Sequence, residues 1–342
     1  MDKRLTCEIR CARRVGEGAL DFTHFLTHRF SRVALAICAC ATIAIFAGKA
    51  SAQTADTEDR AQLLANPPGF HPGRNVSEEG ADEGTAAPSD NDSDLGTQEI
   101  VRRAPVYQPF TALVSVPFFY TSNVGLSHQN VRSDFITVPQ ESVAYVPHIT
   151  RNLYADLSVQ DSYFAYARSS ELDFNSLDLR AGLDYIFTEC HNLIVRGYYD
   201  FNRLDSKGSF QDFDNHSFNF GAELPFRFGQ AEQISIGTAA NISAAGTPDI
   251  ARRDQYDFYV GYDISLTRSF SIDAVERLSV RDYVQGNRVD VSEITALSAN
   301  YRFNRYITGS FISTFAVNDS NHDTFDYGVA NVGGALSLSV KF

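Results

Sequence analysis

Fifteen ionisable side chains recur at alternate positions from Asp156 onward. The acids are Asp156, Asp178, Asp184, Asp200, Glu223, Asp257, Asp263 and Asp273, and the bases are Arg180, Arg196, Arg227, Arg277, Arg281, Arg302 and Lys341. Eight acids against seven bases give no strong single sign. Opposed charges around a hydrated lumen would set a transverse field over a passing solute. The same charges, paired across a narrower interior, would instead fill and seal it. Either chemistry needs a wall that turns every second side chain inward.

Other chemistry is poorly represented. His71, His128, His148, His191, His216 and His322 are scattered singly, without an H-E-x-x-H pair. The chain has no G-x-S-x-G, no phosphate-binding G-x-x-x-x-G-K-[ST] and no dinucleotide glycine run. His148 and His216 sit at strand ends without an evident nucleophile, so catalysis is not expected. Asp90-Asn91-Asp92-Ser93-Asp94 opens like a calcium loop, but Leu95 replaces the sixth-position Gly and Val101 the twelfth-position Glu. Asn318-Asp319-Ser320-Asn321-His322-Asp323 offers oxygen ligands, yet Asn/Asp-rich segments form turns without metal. No metal or cofactor is expected.

The 342 residues carry 29 Lys+Arg against 42 Asp+Glu, a net −13, which excludes nucleic acid as a natural partner. Arg29 and Arg32 precede an apolar run from Val33 to Ala47, then Ala50-Ser51-Ala52. This is the layout of a secretory signal over residues 1–52, since the run is short of the ~20 apolar residues of a membrane anchor. Of five cysteines only Cys190 would remain, so no internal disulfide is expected. Residues 53–105 hold 11 acids and 4 bases with Pro67-Pro68-Gly69 and Ser77-Glu78-Glu79-Gly80. Apolar residues there are too sparse to offset ordering entropy, which predicts a disordered acidic tether.

From Val106 to the last residue the pattern is two-residue alternation. Leu193, Val195, Gly197, Tyr199 and Phe201 alternate with Ile194, Arg196, Tyr198, Asp200 and Asn202, and Phe258, Val260, Tyr262, Ile264 and Leu266 with Asp257, Tyr259, Asp263 and Ser265. Successive strand side chains point to opposite faces, so each segment has one apolar face. Short breaks at 150–152, 188–191, 229–231, 267–269 and 304–305 recur at roughly 38 residues and alternate with longer Asp/Asn/Gly/Ser-rich breaks. The count is twelve strands of about 10 to 17 residues, long enough for the ~9–11 that cross a bilayer and well beyond the ~5–6 of soluble sheets.

Aromatics gather where the strands end. Tyr185, Phe187, Phe226, Phe228, Tyr301, Phe303 and Phe342 lie beside short turns, and Phe118, Tyr120, Tyr199, Phe218, Phe220 and Tyr256 beside long loops. Between these girdles the outward positions are aliphatic or Gly. The expected fold is therefore all-β: a transmembrane antiparallel up-and-down barrel of about twelve strands over residues 106–342, rather than a soluble sandwich. An even count puts both barrel ends on the short-turn side, which would be periplasmic together with the tether. Strict alternation aims Glu276 at lipid, and a β-bulge between Val275 and Leu278 is expected to turn it away. The tether is expected to remain a solvated leader or docking segment; the alternative is that its acids plug the lumen against the inward arginines.

The terminal Leu336-Ser337-Leu338-Ser339-Val340-Lys341-Phe342 resembles the C-terminal insertion signal of bacterial outer-membrane barrels, carried by Leu336, Leu338, Val340 and Phe342. Phe118-Phe119-Tyr120-Thr121-Ser122-Asn123-Val124 and the last loop, with Phe325-Asp326-Tyr327, resemble the β-barrel porin families over residues 106–342. The resemblance implies insertion by the barrel-assembly machinery into the outer membrane of a Gram-negative cell, with lipid and lipopolysaccharide as surroundings. It also implies a porin-like channel for small hydrophilic solutes. The alternative is an export-system component or structural anchor without an open pore.

Overall fold

The structure is a computed structural model that describes residues 57–64, 107–206, 213–229 and 231–342. The signal segment 1–52 and most of the tether lie outside the described residues. One helix, α1 (Thr57–Leu64), precedes thirteen strands: β1 (Phe110–Thr121), β2 (Asp134–Thr137), β3 (Gln140–Tyr145), β4 (Leu153–Tyr166), β5 (Phe174–Phe187), β6 (Leu193–Ser206), β7 (Phe213–Phe228), β8 (Glu232–Thr247), β9 (Arg253–Thr267), β10 (Phe270–Tyr283), β11 (Val289–Arg302), β12 (Ile307–Ser320) and β13 (Tyr327–Lys341).

The thirteen strands make twelve staves. β2 and β3 each pair with β1 on one side and β4 on the other, so they are two halves of one stave. Pro139 divides them, because proline has no N–H to give the ladder. The ladder is bridged all the same: Val138 N donates to Pro117 O at 2.8 Å, and Tyr163 N donates to Pro139 O at 3.0 Å.

All pairings are antiparallel, and β13 returns to β1 in register from Thr111↔Lys341 to Thr121↔Asn331. Phe110 and Phe342 exchange backbone hydrogen bonds at 3.1 and 3.0 Å, completing the seam. The sheet therefore has no free edge, the condition hydrocarbon imposes on any sheet that crosses it.

Alternation holds around the wall. In β11, Val289, Val291, Glu293, Thr295 and Leu297 face outward, while Asp290, Ser292, Ile294, Ala296, Ser298 and Asn300 are buried on the inner side. The outer surface carries exposed Val114, Val116, Leu157, Leu183, Ile236, Val260, Leu278, Leu336, Leu338 and Val340, bounded at the strand ends by Phe118, Tyr120, Phe187, Phe218, Phe220, Tyr301, Phe303 and Phe342. A soluble protein does not leave so continuous an apolar surface in water, and this one is fitted to lipid.

Glu276 departs from the expected bulge. β10 pairs with both neighbours without a break from Val275 to Leu278, Glu276 lying opposite Val260 and Thr295. The register shifts lie elsewhere, at Phe270/Ser271 and His216/Ser217. Glu276 therefore faces outward, where Thr295 Oγ1 donates to its Oε2 at 2.7 Å. A neighbouring hydroxyl partly replaces the water that the carboxyl group loses, so no change of phase is required.

The seam depends on one close approach. A Cβ on Gly333 would fall 1.9 Å from Phe118 O and 2.7 Å from the Phe119 ring. Gly333→Val should therefore overpack the seam by about 1–3 kcal/mol or more. On unheated gels most of that variant should lose the compact folded band. Gly328→Ala, where an added Cβ meets nothing within 4 Å, should keep it. Equal folding of the two would refute the close approach.

Candidate functional site

The candidate site is the lumen. Asp156, Asp178, Arg180, Asp184, Arg196, Asp200, Glu223, Arg227, Asp257, Asp263, Asp273, Arg277, Arg281 and Arg302 all occupy inward positions of their strands. Leu336, Leu338, Val340 and Phe342 lie on the opposite, outer surface.

Five of the inward charges pair along the wall. Arg180 of β5 meets Asp200 of β6 at 3.8 Å, and Arg196 of β6 meets Glu223 of β7 at 2.9 Å and Asp184 of β5 at 3.8 Å. These partners stand on adjacent strands, so their bridges do not span the lumen. Tyr259 reaches over β8 to donate to Glu223 Oε2 at 3.1 Å. Gly237 permits this, since a Cβ there would fall 2.2 Å from the tyrosine ring. The Arg180 side chain is 41% exposed, which marks this part of the lumen as hydrated.

The long-loop end is different, and it is filled. Phe119, Ile136, Phe164, Tyr166, Phe174, Leu204 and Phe213 turn inward there as one buried apolar cluster, against which Ala61 and Leu64 of α1 pack. Leu63 joins Leu126, Ile294, Ala316, Tyr327 and Val329 in a second. Residues 57–64 are thus a helix seated inside the barrel. For these eight residues the expected solvated leader does not hold, and the alternative does: an acid of the segment, Asp59, is set against inward arginines. An isolated eight-residue helix is unstable in water, so α1 depends on this seat. Burial of Leu63 alone contributes about 2–3 kcal/mol.

Asp59 anchors the helix electrostatically. It is 1% exposed. Arg253 Nη1 donates to its Oδ1 at 2.5 Å, Arg281 Nη1 lies 3.3 Å from the same oxygen, and Arg288 Nη2 lies 3.9 Å from Oδ2. Glu58 adds a contact to Arg253 at 3.4 Å. Arg253 also donates to Tyr283 Oη at 2.8 Å, and Arg288 stacks on Tyr283 and Phe325 while pairing with Asp290 at 2.5 Å. Burial pushes the Asp59 carboxyl up, but the three guanidiniums outweigh it and hold it at about 2.

Of the residues in this seat, only Arg281 belongs to the charges that alternation singled out. Arg253 and Arg288 stand where long loops join strands, and Asp59 lies in a segment whose mean composition conceals one helix. The readable signal was the loss of alternation at the long-loop ends, as in Tyr163-Phe164-Ala165-Tyr166, where Phe164 and Tyr166 are buried inside the barrel and Tyr163 lies exposed on the outer, lipid-fitted face.

The last loop is a stitched turn. Asn318 Nδ2 donates to Phe325 O at 3.0 Å, Val289 N donates to Asn321 Oδ1 at 2.9 Å, and Ser320 N donates to Asp326 Oδ1 at 2.7 Å. Among the described residues no group of three His, Cys, Asp or Glu side chains is placed to hold a metal ion.

No protein-family model matches the chain, and no curated protein matches it in sequence. Solved structures do match its fold. An outer-membrane channel from Pseudomonas putida F1 superposes with a TM-score of 0.50 at 12% identity, over 69% of this chain and 97% of that one. The fold is that of an outer-membrane β-barrel. The translocator domain of an autotransporter from Neisseria meningitidis gives 0.41 at 12% identity, over 69% and 89% of the two chains. Outer membrane phospholipase A from Escherichia coli gives 0.41 at 13% identity, over 66% and 92%.

A depressed carboxyl pKa contributes stability that is present above the unfolded value near 3.8 and is lost as pH falls through the folded one. A spin label at Gln62→Cys, in a Cys190→Ser background, should therefore stay immobilised from pH 8 to about 4. Its mobile fraction should rise as pH falls from about 4 towards 2. Release between pH 7 and 5 would contradict the three-arginine seat.

Proposed function

We propose that the chain is a channel of the porin type for small hydrophilic solutes, placed in the outer membrane and closed at its long-loop end by α1. One observation carries this most directly: Arg180, Asp184, Arg196, Asp200 and Glu223 pair with neighbours along the wall, leaving the closure to a short helix held by side-chain contacts. A ladder of bridges across the interior would have made the barrel a solid post. Twelve staves enclose an interior between that of side-chain-filled eight-stranded barrels and that of open sixteen-stranded porins, a size that a single helix can occlude.

In this scheme the short turns are periplasmic and the long loops external. Residues 1–52 direct export, and the C-terminal residues Leu336 to Phe342 engage the barrel-assembly machinery during insertion. Lipid and lipopolysaccharide surround the aromatic girdles. No catalytic role is assigned.

Liposome swelling tests the channel. Deleting residues 53–105 should admit pentoses faster than hexoses and hexoses faster than disaccharides, at least tenfold faster than the full chain does. Silence from both proteins, each shown to be folded by its gel mobility, would remove the channel and leave a structural anchor or export component.

A further inference from the structure

The seat of Asp59 is built by the barrel wall. Arg253 opens β9, Arg281 lies near the end of β10, and Arg288 stands in the turn to β11. Arg253 and Arg281 are placed by strand register, and Arg288 by the turn, where Tyr283 N donates to Arg288 O at 2.9 Å. Forty-five residues, 65–109, separate the helix from β1. Eight residues are too few for a helix to persist by itself in water, so α1 is helical where the seat holds it.

Consider the wall with α1 withdrawn. Arg281, fully buried in the closed state, loses the carboxylate at 3.3 Å. Arg253 loses both Glu58 and Asp59. Arg277, two inward positions further along β10, is 4% exposed, and its Nε and Nη2 have no protein hydrogen-bond partner. The wall acids nearby are already engaged: Asp290 by Arg288, and Asp257 by Gln255 Nε2 at 3.0 Å and Ser279 Oγ at 2.5 Å. Arg253, Arg277, Arg281 and Arg288 thus gather at this end of the lumen, and Asp59 is the carboxylate that two of them, Arg253 and Arg281, share.

We propose that Arg253, Arg281 and Arg288 form a binding site for small carboxylate solutes, and that Asp59 occupies it as an internal stand-in for such a solute. The site fits this class because the group it holds is a carboxylate, with one oxygen shared by two guanidiniums and the other facing the third. Guanidinium forks recognise planar two-oxygen anions through paired charge-assisted hydrogen bonds. A solute carboxylate arriving at the long-loop end competes with Asp59 for the same donors and releases the helix, so the permeant solute opens its own path. This opening rests on the channel function proposed above, whereas the binding site does not.

Titration calorimetry of the full chain refolded in detergent tests the site, with succinate as the probe and glucose and sodium chloride as controls. Asp59→Asn removes the stand-in and should bind succinate at least tenfold more tightly than the unmodified chain, with no heat from glucose. Adding Arg281→Gln to that variant should abolish the gain. Arg288→Gln, at a less buried position, should reduce it and guards against a double variant that fails to fold. Asp59→Asn binding succinate no better than the unmodified chain would overturn the site, as would a gain that survives both arginine changes. Bilayer recording separates the two proposals. Binding as described with silent bilayers upholds the site and removes the channel, whereas an Asp59→Asn pore that opens without binding succinate upholds the plug and overturns the site.

Discussion

Hydrocarbon gives a peptide N–H nothing to bond to, and every feature of this barrel follows from that constraint. An open sheet with the same side chains would expose two rows of unpaired amides to lipid. The cylinder removes them by bringing β13 back to β1, where Phe110 and Phe342 bond each other's backbone in both directions. Even at Pro139, where a donor is missing, the ladder is carried past the gap by Val138 N and Tyr163 N. The outer surface then needs only apolar side chains, and the inner surface is left for polar ones.

Closure creates a second problem, which is how to arrange charge inside a low-dielectric tube. Arg196, Glu223, Asp184, Arg180 and Asp200 answer it locally, by pairing with neighbours on adjacent strands. This keeps the charges matched along the wall, with no bridge between these five crossing the interior. At the long-loop end the arrangement is different. Arg253 and Arg281 turn to a carboxylate that belongs to no strand, and Asp59 supplies what the wall lacks. Apolar packing and charge act together there: Leu63 and Leu64 fill the mouth, and Asp59 fixes how the helix is seated.

Most of the fold was legible in the sequence because a membrane barrel is governed by a period of two. Alternation assigned a face to each side chain, and the short turns at 188–191, 229–231 and 267–269 set the stave count. Glu276 was misjudged because the rule that charge avoids lipid was given precedence over register; a hydroxyl on the adjacent strand, Thr295, satisfies the carboxyl without breaking the pairing. The helix at 57–64 was missed for a different reason. Averaged over 53–105 the segment is too polar to fold, but α1 needs only Ala61, Leu63 and Leu64, because the barrel provides the other side of its core. A contact of that kind depends on tertiary structure and has no local sequence signature. The inward aromatics Phe164, Phe174 and Phe213 were its counterpart on the wall, visible in the sequence only as a failure of alternation.

A cross-link through the seam tests closure most directly. Ser115 and Ser337 face each other on β1 and β13, with their hydroxyl oxygens 2.8 Å apart although they stand 222 positions apart along the chain. With both replaced by cysteine in a Cys190→Ser background, mild oxidation of the membrane-embedded protein should link them within one chain in nearly every molecule. The product would be a covalent ring whose mobility on denaturing gels shifts back on reduction. If the two cysteines remain free, or join only between different chains, the sheet is open and the barrel described here does not exist.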